Sequence, residues 1–133
     1  GESFETIALI FSTAVFLKSK LINAAINEFE DGDTEIQLMS IAKFPAPIER
    51  ALRVGKDNSI TPVNEELISH PSNNLGDAWY ETGDFVIYNE KGVLTNSQKS
   101  KKRGFCLPQL ISIDIDNMED WEQAERVYKY IYM

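Results

Sequence analysis

A chain of 133 residues with a formal charge of −8 at neutral pH is poorly suited to coating nucleic acid, because phosphate neutralisation needs a face dominated by Lys and Arg. Apolar residues make up 43% and aromatics 11%, which argues against disorder, and folding at this length removes about two-thirds of the unfolded chain's surface from water. The lone Cys106 excludes an internal disulfide, and Thr6 to Lys18 is too short to span a bilayer and lacks the basic flank of a secretory signal. One compact cytoplasmic domain over residues 1–133 is expected, with neither nucleic acid nor membrane as partner.

Ile7-Ala-Leu-Ile-Phe11 is a continuous apolar run of the kind found in strands buried on both faces, as in parallel sheets. From Leu17 to Phe29, Leu17, Leu21, Ala24, Ala25 and Phe29 fall at helical spacing. Glu28, Glu30 and Asp31 crowd the end of that helix, where the macrodipole disfavours acids, and Gly32 offers a stop. A strand around Ile36–Ile41 would complete a βαβ unit. Pro45 and Pro47 then force an extended corner. Leu52–Val54 and Ile60–Val63 flank Gly55-Lys-Asp-Asn58 as a hairpin.

Asn64 to Tyr80 is a long polar stretch containing Asn73, Asn74 and the only histidine, His70, which reads as a loop residue rather than a catalytic or zinc-binding one. Asp84–Tyr88 alternates as a strand, and Asn89 to Gly92 turns the chain. Lys99, Lys101, Lys102 and Arg103 form the one basic cluster, either a solvated loop or a phosphate contact. Leu110–Ile113 reads as the last strand. Asn117 and Asp120 then make a near-capping-box for a closing helix whose buried stripe is Trp121, Ala124, Val127, Tyr128 and Ile131. Tyr128, Tyr130 and Tyr132 are expected on different faces, Tyr128 packed and the others open to an interface. The class is α/β, a mixed sheet flanked by helices.

Asp114 and Asp116, two residues apart in an extended segment, share one side. They are either a helix cap and its solvated neighbour or a magnesium site, since Mg²⁺ takes one or two carboxylates and completes its octahedron with water and phosphate. Arg50 and Arg53 are candidates for contact with an acidic ligand or for surface salt bridges.

SIDIDNMEDWEQAERVY (Ser112–Tyr128) resembles the C-terminal signature of the acylneuraminate cytidylyltransferases. Three further segments match in order. IFSTAVFLKSK (Ile10–Lys20) is similar to that family's strand, small-residue turn and helix. FPAPIERALR (Phe44–Arg53) and NLGDAWYETGDF (Asn74–Phe85) resemble segments of its pseudaminic-acid branch. The resemblance implies the C-terminal part of a nucleotide-diphospho-sugar transferase fold and transfer of CMP from CTP to a nine-carbon acidic sugar. It also implies Mg²⁺ at Asp114 and Asp116, and segments 44–53 and 74–85 near the sugar and a subunit interface. The family's glycine-rich basic loop, which holds the CTP phosphates, has no counterpart among the seven scattered glycines. Val15 stands where the family has Pro, and Glu49 and Asp84 where it has Gln. The expectation is a partial domain inactive alone, or a homodimeric binding or assembly module on the same scaffold.

Overall fold

A computed structural model describes residues 4–71, 75–91 and 102–133. Asn73, Asn74, Gly92, Lys99 and Lys101, which the sequence places in loops, turns and the basic cluster, lie outside the described residues. In chain order the elements are β1 (Ile7–Ile10), α1 (Ser19–Glu30), β2 (Gln37–Lys43), β3 (Leu52–Val54), β4 (Ile60–Pro62), β5 (Trp79–Tyr88), β6 (Lys102–Cys106) and α2 (Met118–Tyr132). Short 3-10 turns at Ile48–Arg50 and Gln109–Ile111 complete them. The residues fall into two compact units, one drawn from Gly1–Ala42 and Glu81–Met133, the other from Lys43–Tyr80.

The first unit holds a four-stranded sheet ordered β1-β5-β2-β6. β1 runs antiparallel to β5 and β2 parallel to β6, so the sheet is mixed, as the α/β reading requires. α1 forms where apolar residues recur at helical spacing, and it buries Ala25 and Phe29 against Leu38, Phe85, Ile87 and Leu107. Leu21, Ile22 and Ile26 pack partly against the same core, whereas Ala24, placed by spacing on the buried stripe, is exposed. Phe85 and Phe105 meet in a tilted ring pair with centroids 5.9 Å apart. A second cluster forms where α2 presents Ala124, Val127 and Ile131 to Phe16, Ile113 and Ile115.

The acids at the end of α1 are answered by Arg103. Its guanidinium donates to the Glu28 carbonyl at 2.7 Å and the Phe29 carbonyl at 3.4 Å, supplying positive charge where the helix dipole is negative. Gly32 serves this contact. It does not adopt a left-handed stop, but a Cβ there would collide with the guanidinium. Arg103 thus caps the C-terminus of α1.

α2 begins as the sequence predicts. Asn117 Oδ1 accepts from the Glu119 and Asp120 amides at 2.9 and 3.1 Å, and Asp120 Oδ2 accepts from Asn117 N at 3.1 Å, a complete capping box. Trp121 and Tyr128 are about half exposed rather than buried. With Val15, Phe16, Ile115, Ala124 and Glu125 they line an apolar cleft of about 160 Å³. Tyr128 and Tyr132, one helical turn apart, meet in a tilted ring pair with centroids 4.7 Å apart, which corrects their assignment to different faces.

In the second unit β3 and β4 form the expected antiparallel hairpin, with Leu52 opposite Pro62 and Val54 opposite Ile60. Asn58 takes the positive φ of 62° that its turn needs, and Asp57 accepts from Ser59 N and Oγ. The Asp57 carboxyl is held below its ordinary value by these bonds, first of all the one from the Ser59 hydroxyl. His70 lies in a bend of the loop, as expected.

Three sequence expectations fail for physical reasons. Leu110–Ile113 forms no strand, because Pro108 ends the extended run and the chain winds into the 3-10 turn at Gln109–Ile111. Lys102 and Arg103 belong not to a loop but to β6, whose pairing with β2 overrides their polarity. β1 is neither parallel to its partner nor buried, since it lies at the edge of the sheet.

Replacing Arg103 with Ala is expected to cost about 1–2 kcal/mol by removing the charge at the α1 terminus. Gly32→Ala, whose Cβ would push the guanidinium aside, should lower stability by no more than loss of the cap does. Urea unfolding midpoints test both, and an unchanged midpoint for Arg103→Ala would show that the cap contributes nothing.

Candidate functional site

The site is built around a break in β5. Gly83 has φ of 70°, a conformation that L side chains rarely adopt, in the middle of a ten-residue strand. A hydroxyl from β2 bonds the backbone just beyond it. Ser40 Oγ accepts from the Asp84 and Phe85 amides at 3.1 Å each and donates to the Phe85 carbonyl at 3.3 Å. Ser40 is 1% exposed, so no water competes for these bonds. On the other side the Phe11 amide donates to the Asp84 carbonyl at 3.0 Å.

This arrangement turns the Asp84 side chain inward, where the residue is only 4% exposed. Burial pushes its carboxyl above the ordinary value of 3.8. The Thr82 hydroxyl opposes the rise, and the charge of Asp114 adds to it. The contact with Thr82 falls short of full hydrogen-bond geometry, and neither Thr82 Oγ1 nor Asp84 Oδ2 has a partner among the described residues. A buried hydroxyl oxygen and a buried carboxylate oxygen thus lack partners among the described residues beside a second carboxylate, that of Asp114.

Asp114 lies over Gly83. A Cβ on that glycine would stand 3.4 Å from Asp114 Oδ2, so a larger side chain would crowd the carboxylate. Ile113 is buried and Ile115 half-buried, while Asp114 and Asp116 are exposed. That alternation of period two puts both carboxylates on the outer side of the segment, although no ladder forms there. The Asp116 amide donates to Asp120 Oδ2 at 3.1 Å, which fixes the backbone of the second acid to the start of α2. Hard oxygen donors on one side with open positions beyond them fit Mg²⁺ completed by water and phosphate. Among the described residues no group of three or more His, Cys, Asp or Glu is gathered as a closed metal site.

Arg50 and Arg53 belong to the second unit, and Asp114 and Asp116 to the first. Arg50 Nη2 donates to the His70 carbonyl at 2.8 Å, tying the 3-10 turn to the loop. Arg53 is exposed on β3 opposite Thr61. Beside Arg50, Glu49 keeps a buried Oε2 without a partner among the described residues. Sequence reading passed over Ser40, whose signal is a single hydroxyl within the apolar run of β2, and noted Asp84 as a strand residue and a substitution but not as a buried acid.

No family model matches the chain. It is similar to the pseudaminic acid cytidylyltransferases of two Campylobacter jejuni subsp. jejuni strains, of serotypes O:23/36 and O:2. Identity is 26% and 25% over 131 residues, covering 97% of this chain and 56% of each relative. The chain thus spans about half the length of the curated relatives it matches, and the resemblance read from four segments extends over nearly all of it. No described helix is long and apolar enough to cross a membrane.

Ser40→Ala strips the two amides and the carbonyl of their partner and is expected to cost about 1–3 kcal/mol in urea unfolding. Asp84→Asn is expected to raise stability at neutral pH. A carboxyl raised in the folded state stabilises it fully below the unfolded value of 3.8, and that contribution is lost as pH rises through the folded value. The advantage of the Asn variant should therefore appear above that window and vanish in acid. A pH-independent difference between the two proteins would show that Asp84 is not shifted.

Proposed function

We propose that this chain is the metal- and sugar-side part of a cytidylyltransferase-like protein, not catalytic without a nucleotide-holding part. The observation that carries this reading is the outward pair Asp114 and Asp116, anchored at the capped start of α2. Similarity to two pseudaminic acid cytidylyltransferases over 97% of the chain supports it. In the reaction of such enzymes the anomeric hydroxyl of an acidic sugar attacks the α-phosphorus of CTP, and pyrophosphate leaves. Mg²⁺ held by Asp114 and Asp116 would supply positive charge to the phosphate oxygens.

Three features of the chain's own residues support this reading. No glycine-rich basic loop is present to cradle a triphosphate. Arg50 has committed one guanidinium nitrogen to the His70 carbonyl, and its remaining donors, with those of exposed Arg53, are the candidates for an acidic sugar. Asp84 accepts where an amide could also donate, so when ionised it opposes an anionic ligand. The lone Cys106 and the acidic balance suit a cytoplasmic setting.

A second reading, a homodimeric binding or assembly module, is favoured by the hairpin of the second unit. Leu52, Val54, Ile60 and Val63 are between 47% and 70% exposed there, an apolar surface that a second copy could cover.

Calorimetric titration of Mn²⁺, and of CTP with Mg²⁺, into the chain separates these readings. Mn²⁺ binding that Asp114→Asn or Asp116→Asn lowers at least about tenfold, with unfolding midpoints nearly unchanged and CTP held weakly at most, is the expected result. Equal affinity in the variants would remove these acids from the site. Absence of binding together with a dimer by light scattering would favour the assembly module.

A further inference from the structure

Thr82 and Asp84 flank the left-handed Gly83, and each is only 4% exposed. Thr82 Oγ1 and Asp84 Oδ2 are buried without a hydrogen-bond partner among the described residues. The nearest hydroxyl is already committed: Ser40 Oγ gives its one proton to the Phe85 carbonyl and accepts from the Asp84 and Phe85 amides. No described Lys, Arg or His is ion-paired with Asp84 or Asp114, because the ion pairs of the described residues engage Asp77, Glu35, Glu122 and Glu125 instead. The Asp114 carboxylate rests over the glycine between the two buried oxygens. Its Oδ2 and Oδ1 lie 3.4 and 3.8 Å from the point that a Cβ on Gly83 would occupy. A hydroxyl and two carboxylates thus gather around one glycine, and the chain supplies no positive charge to them. A buried carboxylate in that position is costly until a cation or a proton relieves it.

We propose that Thr82, Asp84 and Asp114 form an inner binding site for a hard divalent cation, one that binds without nucleotide or sugar. All three donors are oxygens, the ligands that Mg²⁺ and its relatives prefer, and two carboxylates balance the charge of one such ion. Buried Asp84 closes the inner side. Exposed Asp114 gives the ion its way in and leaves outer positions to the waters that Mg²⁺ retains. Gly83 keeps the space clear, since any side chain there would stand against the Asp114 carboxylate. Asp84 stands where the resembling family has Gln, whose amide brings no charge, so the inner acid is a feature of this chain. The site goes beyond the reading above. It shares Asp114 with the outward pair, but Asp84, Asp114 and Asp116 are not gathered into one cluster, so the inner ion is separate from one held at Asp116.

The test titrates Mn²⁺ alone into the metal-free chain by calorimetry, with free Mn²⁺ counted by its electron paramagnetic resonance signal. Urea midpoints at neutral pH, with and without Mn²⁺, give a second readout. The parent is expected to bind an inner Mn²⁺ and to unfold at higher urea when it is present. Asp84→Asn should lower the affinity of that inner ion at least about tenfold, and Thr82→Val by a smaller factor. Thr82→Ser, which returns the hydroxyl, should bind like the parent. Neither Asp84→Asn nor Thr82→Val takes a partner from another group in the metal-free chain, so both are expected to fold. Mn²⁺ should also narrow the stability lead that Asp84→Asn holds over the metal-free parent. Asp116→Asn should leave the inner ion in place. Inner binding that persists in Asp116→Asn while the outer ion is absent from every variant would remove the outward pair and leave this site standing. Mn²⁺ binding and midpoints that do not respond to Asp84→Asn and Thr82→Val, or a parent that binds no Mn²⁺, would show that a proton alone relieves Asp84 and overturn the proposal.

Discussion

The hydroxyl of Ser40 is the constraint around which the first unit is arranged. A left-handed residue in the middle of a strand removes backbone groups from the ladder, and buried groups left unpaired cost stability. Ser40 meets three of them at once from the neighbouring strand, two amides and a carbonyl. The kink at Gly83 can then persist inside the sheet, with Asp84 turned into the interior and Asp114 resting above the glycine. An alanine at position 40 would fill nearly the same volume yet provide none of this. The location of the acidic site is thus decided one strand away from the acids themselves.

Around that point negative charge accumulates with little local relief. Asp114 and Asp116 face outward together, and Asp84 lies buried close enough to feel Asp114. The nearby helix start gives partial compensation, because the amides at the beginning of α2 favour anions, but Asn117 and Asp120 already occupy them. Such a group of carboxylates is stable in water at the surface and becomes more so beside a cation. Burial holds the Asp84 carboxyl above its ordinary value, and the charge of Asp114 adds to that rise.

The sequence made some of this plain and hid the rest. The α1 stripe, the capping box at Asn117, the Gly55–Asn58 hairpin and the same-side placement of Asp114 and Asp116 were legible because each depends on residues close in sequence. Long-range pairing was not. Lys102 and Arg103 read as loop because their charges dominate a short window, yet β2 recruits them into β6. β1 read as an inner strand from its apolar composition, whereas its neighbours in the sheet make it an edge. The Ser40 contact joins residues 44 and 45 positions apart, and no local pattern announces it. Pro108 did carry a warning against a strand at Leu110–Ile113 that the apolar run outweighed.

The fit between Gly32 and Arg103 makes two distant positions compete for one volume. The guanidinium fills the space that a Cβ at position 32 would take, and from there it supplies charge to the end of α1. A side chain at position 32 would push the flexible end of Arg103 aside, and the Glu28 and Phe29 carbonyls would then be left to water.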